Sequence, residues 1–176
     1  MSYASDKVRP YLSEADIRSR IEWLGEKISR DLSGAPLVVI AVMKGAAMFA
    51  GDLVKKIDLP IELEYLYARS YSGSKSTGIV EVDRIPRVDL KGKNLLLVED
   101  IIDTGLTMQT IKVEMQKLGA EKVYLCSLLS KPSRRQIEIY IDYLGFEIPD
   151  EFVVGYGLDY NEQYRNLPFV GIYSES

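Results

Sequence analysis

The residues of this chain with the clearest capacity for chemistry lie between positions 99 and 107. Glu99 and Asp100 provide carboxylate oxygens, which suit ribose hydroxyl groups or a hard cation such as Mg²⁺. Residues 103–107 read Asp-Thr-Gly-Leu-Thr and place hydroxyl donors beside a glycine that lets a ligand approach the backbone. This pattern predicts a sugar-phosphate site, with the sugar ring over the acidic pair. The alternative is an ordinary strand, turn and helix with a threonine cap and solvated acids.

The neighbouring elements would position this turn. Residues 95–98 form a short apolar run, which is typical of a parallel strand covered on both faces, so we expect the strand to end just before the carboxylates. Ile111, Met115 and Leu118 recur at helical spacing and predict a helix after the turn. The free N–H groups and the positive dipole at the start of such a helix favour an anion.

Two further strand ends carry lysines. Residues 37–42 and 123–129 are apolar runs of strand length, and Lys44 and Lys131 follow them. Because ligands of open α/β sheets bind at the carboxyl ends of the strands, Lys44 predicts a second anion site at the same edge. The alternative is a lysine at a surface turn. The two arginines at 134–135 are interpreted as surface residues.

Length and composition are those of one ordinary globular domain. The chain has 176 residues, of which 47% are hydrophobic and 27% are charged. Its formal net charge is -4 and its pI is near 5.0, so no overall basic field attracts nucleic acid or an anionic membrane. The longest apolar run, residues 37–43, is far shorter than the about 20 residues of a membrane span. The N-terminal residues lack the apolar core of a signal peptide, so we expect a cytoplasmic protein.

The absence of histidine narrows the possible chemistry. Histidine-based triads and histidine-ligated zinc are excluded, so proton transfer near neutral pH falls to carboxylates, lysine, tyrosine or water. Cys126 is the one cysteine, which excludes an internal disulfide, and its apolar surroundings predict a buried, unreactive thiol.

The remaining segments predict supporting elements. Residues 1–11 are polar and are expected to form a loose arm, after which Ser13 can cap a helix. Residues 61–68 and 80–85 predict the two arms of a ribbon. The small polar residues between these arms cannot bury apolar area, which favours a mobile segment.

Several segments resemble one family in the same order along the chain. Residues 98–107, Val-Glu-Asp-Ile-Ile-Asp-Thr-Gly-Leu-Thr, resemble the phosphoribosyl-pyrophosphate motif of type I phosphoribosyltransferases, in the form found in hypoxanthine-guanine phosphoribosyltransferases. Residues 43–45 resemble that family's pyrophosphate loop, where a non-proline cis peptide between Met43 and Lys44 is expected. Residues 69–71 resemble the start of its flexible catalytic loop. Residues 149–168 resemble its base-binding segment and the sequence that follows. The likeness extends from about residue 12 to residue 173.

The resemblance implies a fold and a domain organisation. The expected fold is α/β, with a central mainly parallel sheet flanked by helices, as in type I phosphoribosyltransferases. A small base-binding hood and a flexible antiparallel lid loop are expected beside it. Residues 1–176 would form a single domain, with the catalytic loop at 69–78 and the base-binding and hood segments at 131–168.

The resemblance also implies roles for individual residues, of which Asp103 would be the catalytic one. The sugar-phosphate ligands would be Glu99, Asp100, Ile101, Asp103, Thr104, Gly105, Leu106 and Thr107. The pyrophosphate ligands would be Lys44, Gly45 and Arg165, and the lid would contribute Ser70 and Tyr71. The purine ligands would be Lys131, Phe152, Val153 and Asp159, and the metal ligands would be Glu99, Asp100 and Asp159.

The implied reaction is Mg²⁺-dependent purine salvage by a homodimer or homotetramer. Phosphoribosyl pyrophosphate and hypoxanthine or guanine would give IMP or GMP and pyrophosphate. Asp103 precedes the hydroxyl and glycine residues of the turn at 103–107 and could reach the far imidazole nitrogen of the purine. Lys131 disfavours adenine, because an ammonium group only donates hydrogen bonds and would meet adenine's 6-amino donor. It does not separate xanthine from guanine.

Other interpretations of the same residues remain open at this point. Phe152 could be a core residue, and residues 69–78 could be a plain hairpin loop. The chain could also be a nucleic-acid-binding regulator that keeps a sugar-phosphate fold, although it shows neither a basic face nor an added helix-turn-helix, and a gel shift at moderate salt would test this. A receiver-like signalling domain would use the acidic pair for Mg²⁺ but would leave the turn at 103–107 and the Phe152 segment unexplained.

Overall fold

A computed structural model of the chain describes residues 6–70, 80–82 and 87–175, in which strands and helices alternate for most of the length. The strands are β1 (Val8–Leu12), β2 (Leu37–Met43), β3 (Ile61–Ser70), β4 (Val80–Val82), β5 (Asn94–Ile102), β6 (Lys122–Ser130), β7 (Tyr143–Glu147), β8 (Val153–Val154) and β9 (Val170–Tyr173). The helices are α1 (Glu14–Asp31), α2 (Ala47–Leu53) and α3 (Leu106–Lys117), with short 3-10 turns at Val54–Lys56 and Pro132–Arg134. None of the helices in this described part has the length and apolar character needed to cross a membrane.

The central sheet has the strand order β4-β3-β2-β5-β6-β7, and all of its pairs are parallel except β3 with the edge strand β4. Both faces of this sheet are covered, which explains the nearly continuous apolar sequences of β2 and β5. On one face, Val39 and Leu96 pack with Phe49 of α2 and with the inner side of α1. On the other face, Ile40 packs with Ile111 of α3. The predicted α/β fold is therefore confirmed.

Helix α1 begins where the sequence predicted. The Ser13 hydroxyl accepts a hydrogen bond from the Asp16 amide at 3.1 Å, and the Asp16 carboxylate accepts one from the Ser13 amide at 3.2 Å. This reciprocal pair is a capping box, which satisfies two N–H groups that lack partners within the helix.

A second, antiparallel sheet joins the two ends of the described chain in the order β1-β9-β8. We call this sheet, together with residues 155–169, the hood. The expectation of a loose arm at residues 1–11 is wrong for β1, because Val8 is buried against Val154 and Leu167 while its strand pairs with β9. Residues 1–5 lie outside the described residues. A single buried valine among polar neighbours gives too little periodicity to predict a strand.

Strand β5 is longer than the sequence predicted. It was expected to end before the carboxylates, but it runs through Glu99 and Asp100 to Ile102. The reason is the neighbouring strand: the β5–β6 ladder pairs Glu99 with Ser127 and Ile102 with Ser130. A long-range ladder of this kind keeps polar residues in a strand that their local pattern would end.

The predicted ribbon is present as β3 and β4, which pair antiparallel with Ser70 opposite Val80. The lid predicted at 69–78 begins at the end of β3, but Tyr71 and the following residues to 79 lie outside the described residues. Residues 83–86 of the second arm lie outside them as well.

The cysteine lies in the core. Cys126 is fully buried in β6, and this burial, together with the nearby Asp142 carboxylate, raises the pKa of its thiol. The prediction of a buried thiol is therefore confirmed, and a thiol that stays protonated is a poor nucleophile.

Candidate active site

The parallel sheet brings three predicted site segments to one edge. Strands β2, β5 and β6 are adjacent, and their carboxyl ends lead into Lys44, Asp103 and Lys131 respectively. The Lys131 amide donates a hydrogen bond to the Ile102 carbonyl at 3.1 Å, which ties the exits of β5 and β6 together. The rim expected from the sequence is therefore present.

The turn at residues 103–107, here called the phosphate turn, has the backbone shape that an anion site needs. Gly105 precedes α3 with φ 88, a left-handed conformation that favours glycine. The side chains of Ile137 and Ile139 lie close to this glycine and leave little room for a larger residue. The smaller of two cavities at this rim, about 220 Å³, is lined partly by the turn. Its lining residues are Val42, Met43, Gly45, Ala68, Glu99, Ile101, Ile102, Asp103, Thr104, Gly105, Thr107 and Met108.

Near the end of β5, Glu99 of the acidic pair lines this smaller cavity, and the Asp100 carboxylate lies against Gly45, which lines it too. Burial of the Glu99 carboxyl, reinforced by the neighbouring Asp100 charge, raises the pKa of Glu99 well above its usual value. The Asp100 amide donates to Glu99 Oε1 at 3.1 Å, and the Ile101 amide donates to Asp100 Oδ1 at 2.8 Å. Two crowded carboxyl groups of this kind are stabilised in their charged form when a cation lies beside them.

The donor chemistry of the acidic pair fits Mg²⁺ bound jointly by protein and substrate. Across the described residues, no group of three or more His, Cys, Asp or Glu side chains is placed to hold a metal alone. Mg²⁺ commonly takes one or two carboxylates and completes its shell with water and phosphate oxygens, so two carboxylates suffice. Asp159, predicted as a third ligand, is not in such a group: its oxygens lie 2.7 Å from Arg165 and 2.8 Å from the Glu162 amide.

The loop after β2 packs tightly against the acidic pair. The Met43–Lys44 peptide bond is cis, as the family resemblance implied. A Cβ atom at Gly45 would overlap the Asp100 carboxylate, and a Cβ atom at Gly157 of the hood would overlap the Gly45 carbonyl oxygen. The two glycines therefore allow the loop, β5 and the hood to meet.

Replacement of Gly45 by alanine should weaken sugar-phosphate binding, because the added methyl group must displace either the Asp100 carboxylate or the loop. Overpacking of this kind costs about 1 to 3 kcal/mol, or about 5- to 150-fold in affinity. Calorimetric titration with phosphoribosyl pyrophosphate, the sugar phosphate that the family resemblance implies, measures this loss. The matched control is Gly51→Ala in α2, where a Cβ atom meets nothing within 4 Å. Equal affinities for Gly45→Ala and the control would contradict the importance of this contact.

Lys44 and Arg165, the predicted pyrophosphate ligands, meet at one carboxylate. Lys44 Nζ lies 3.1 Å from Glu162 Oε2, and the Arg165 guanidinium lies 3.4 Å from the same oxygen. Arg165 also donates to the Gly157 carbonyl at 2.7 Å. The structure thus brings the two cations together although they are far apart in the sequence.

The larger cavity, about 550 Å³, lies between the ends of β5 and β6 and the hood. It is lined by Ile101, Asp103, Lys131, Arg134, Asp150, Phe152, Val153 and Leu158. Phe152 is 52% exposed, so the interpretation of this residue as core packing is wrong. Its ring rests edge-on against Tyr160 and Tyr173, with centroids 5.8 and 6.1 Å away. An aromatic face is therefore held at the cavity wall. Lys131 is only 8% exposed and lies 3.7 Å from the Asp150 carboxylate.

Sequence reasoning missed two arginines of this site. Arg134 bridges Asp103, at 3.0 Å, and Asp150, at 3.4 Å, and these carboxylates raise the pKa of its guanidinium. Arg135 donates to the carbonyls of Ile102 and Asp103, so it fixes the start of the phosphate turn. Their interpretation as surface residues is wrong for Arg135, which is half-buried, and incomplete for Arg134. The available signal was their position just after the strand end that carries Lys131.

Comparisons with known proteins agree on one relationship. The family model described as phosphoribosyl transferase domain matches residues 12–161. The hypoxanthine-guanine phosphoribosyltransferase of Staphylococcus aureus strain Mu50 is 42% identical over 161 residues, which are 91% of this chain and 90% of the relative. The hypoxanthine phosphoribosyltransferase of Haemophilus influenzae is 41% identical over 164 residues, or 91% and 92% of the two chains. A crystal structure of a hypoxanthine phosphoribosyltransferase from Staphylococcus aureus matches with a TM-score of 0.91 and 40% identity, covering 96% of this chain and 92% of that one.

Proposed function

The chain belongs to the phosphoribosyltransferase family, among its hypoxanthine-guanine members, and on this premise we propose that it forms IMP and GMP. The reaction moves the 5-phosphoribosyl group of phosphoribosyl pyrophosphate onto hypoxanthine or guanine and releases pyrophosphate. One observation carries this proposal: Ile101 and Asp103 line both the smaller and the larger cavity, so the two cavities adjoin. A sugar phosphate on the phosphate turn would therefore face a base in the larger cavity.

Residues on one side of the site stabilise the leaving group, and residues on the other side position the base. When the bond to pyrophosphate breaks, the sugar becomes cationic and the leaving group gains negative charge. Lys44 and Arg165 stabilise that leaving group electrostatically. On the other side, the Phe152 ring stacks on the purine, the Val153 backbone pairs with its edge, and Lys131 donates to the 6-oxo group. Holding the base beside the sugar in this way removes much of the entropic barrier.

Asp103 is the group that we assign to proton transfer. It lies at the boundary of the two cavities, where the imidazole edge of the purine would face the sugar. Its carboxylate also forms an ion pair with Arg134, which holds its orientation. A carboxylate in this position accepts a proton from the purine or returns one to it.

We further propose that Glu99 and Asp100 hold Mg²⁺ together with the substrate. A bound Mg²⁺ supplies positive charge that stabilises the developing negative charge of pyrophosphate. The crowding of the acidic pair supports this assignment, because a cation relieves the repulsion between its members. Asp159 stays a predicted ligand of the metal or the purine.

The double variant Glu99→Gln with Asp100→Asn should weaken Mg²⁺-dependent binding of phosphoribosyl pyrophosphate. Loss of a hydrogen bond to a charged group costs about 1.5 to 3 kcal/mol, so one lost interaction corresponds to about 10- to 150-fold in affinity. Calorimetry with Mg²⁺ measures the difference, and the same titration with a chelator in place of Mg²⁺ is the control, in which variant and wild type should converge. Normal affinity of the variant with Mg²⁺ would count against this role.

The remaining features of the proposal follow from family membership and from the sequence. Residues 1–176 form a single phosphoribosyltransferase domain that acts in the cytoplasm as a homodimer or homotetramer. Residues 69–78, including Ser70 and Tyr71, close over the site and exclude water while the activated sugar reacts. Size-exclusion chromatography with light scattering tests the oligomeric state.

One assay tests the proposed reaction directly. The protein is incubated with phosphoribosyl pyrophosphate, Mg²⁺ and hypoxanthine, guanine, xanthine or adenine, and nucleotides are separated by chromatography. IMP and GMP should form, and AMP should not. Formation of AMP alone, or of no nucleotide, would overturn the proposal.

A further inference from the structure

One carboxylate in the hood contacts both predicted pyrophosphate ligands. Glu162 Oε2 lies 3.1 Å from Lys44 Nζ and 3.4 Å from the Arg165 guanidinium. Lys44 lies in the loop after β2 and Arg165 lies in the hood. The Glu162 oxygen atom is therefore a contact that links two separate parts of the chain. A negatively charged group held between two cations has the electrostatic character of the ligand that those cations are proposed to bind.

The backbone around Glu162 holds it in this position. Asn161, Glu162 and Tyr164 have φ values of 51, 63 and 73, a left-handed conformation that is uncommon outside glycine. The Glu162 amide donates to Asp159 Oδ2 at 2.8 Å, and the Gln163 amide donates to the Tyr160 carbonyl at 3.0 Å. A backbone of this kind persists where the surrounding structure determines it, and such segments occur often at ligand sites.

Glu162, Lys44 and Arg165 differ in the ion pairs that they form. The hydrogen bond from Lys44, helped by the charge of Arg165, lowers the pKa of Glu162, so its carboxylate is ionised at neutral pH. Arg165 has a second partner in Asp159 at 2.7 Å. The Nε atom of Arg165 is buried and has no hydrogen-bond partner among the described residues. Arg165 therefore keeps an ion pair and a free donor when Glu162 moves away.

We propose that Glu162 is a positioning residue that sets the affinity for pyrophosphate by competing with it for Lys44 and Arg165. In the free enzyme its carboxylate holds both cations, and an incoming pyrophosphate group takes its place. This inference rests on the proposed function, because it takes Lys44 and Arg165 as pyrophosphate ligands. The consequence is weaker binding of the pyrophosphate group in substrate and product alike, and therefore faster release of pyrophosphate after transfer.

Glu162→Gln tests this competition, because glutamine keeps the shape of the side chain and removes its charge. Calorimetric titration with inorganic pyrophosphate and Mg²⁺ should show binding about threefold to tenfold tighter than in the wild type, since exposed ion pairs are individually weak. Glu121→Gln is the control, because it makes the same change of charge at an exposed position just before β6. Equal or weaker pyrophosphate binding by Glu162→Gln would overturn the inference.

Two further measurements separate competition from a structural effect. In the nucleotide assay, Glu162→Gln should lower the KM for phosphoribosyl pyrophosphate by a similar factor and leave the KM for hypoxanthine unchanged. In a Lys44→Gln background, the effect of Glu162→Gln on pyrophosphate affinity should shrink, because one of the two contested cations is gone. An undiminished effect would contradict the inference. If wild-type protein forms no nucleotide while Glu162→Gln still binds pyrophosphate more tightly, the proposed reaction fails and the competition stands.

Discussion

Asp103→Asn is expected to lower the turnover number by about 10²- to 10⁴-fold, the range typical of losing one general acid or base. Asparagine keeps the shape of the side chain at the boundary of the two cavities. Its amide group, however, cannot accept a proton from the purine or return one to it. Steady-state kinetics with hypoxanthine and phosphoribosyl pyrophosphate measure the loss. Calorimetry should show that binding of the sugar phosphate survives, because the amides and hydroxyls of the phosphate turn are retained.

The ion pair between Asp103 and Arg134 calls for its own control. Asp103→Asn removes this pair as well as the proton acceptor, so Arg134→Gln is compared under the same conditions. A much smaller loss in Arg134→Gln assigns the effect to proton transfer, whereas an equal loss assigns it to orientation by the ion pair. Unchanged turnover of Asp103→Asn would remove Asp103 from the mechanism.

Lys131→Ala is expected to reduce kcat/KM for hypoxanthine and guanine by about 10- to 150-fold. The variant loses a charged hydrogen bond to the 6-oxo group, worth about 1.5 to 3 kcal/mol. The position favours a strong effect, because Lys131 is only 8% exposed and faces the larger cavity beside Phe152. Kinetics with each purine at saturating phosphoribosyl pyrophosphate measure the change.

A methionine at the same position separates charge from packing. Lys131→Met keeps most of the buried aliphatic stem and removes the ammonium group, so it should lose nearly as much activity as Lys131→Ala. The Arg134 side chain still pairs with Asp150 in both variants, which limits the disturbance of the cavity wall. Wild-type kinetics in Lys131→Met would exclude the contact with the 6-oxo group.

Much of the fold was predictable because its strongest signals are local. Strands buried on both faces must be apolar along their length, so β2, β5 and β6 were visible as runs of strand length. The phosphate turn was visible because a helix start that binds an anion needs glycine and hydroxyl groups in a short space. Given parallel strands, the shared rim of Lys44, Asp103 and Lys131 followed from topology.

The rest depended on partners that are distant in the sequence. Val8 is in a strand because β9 lies beside it, and Arg135 is half-buried because the exit of β5 passes over it. The position of Glu162 depends on a left-handed backbone at Asn161, Glu162 and Tyr164, and of these residue types only asparagine is enriched in that conformation. Local periodicity carries no information about such contacts.

The contact between Gly157 of the hood and the carbonyl of Gly45 also limits how this enzyme can be re-engineered. A hood transplanted from a homologue, to change which base is accepted, must present a residue without a side chain at position 157. Any larger residue at position 157 would push the loop after β2 away from the sheet. A chimaera selected for a new base would therefore bind the sugar donor more weakly. Libraries for altered base preference should therefore diversify residues around Phe152 and leave both glycines unchanged.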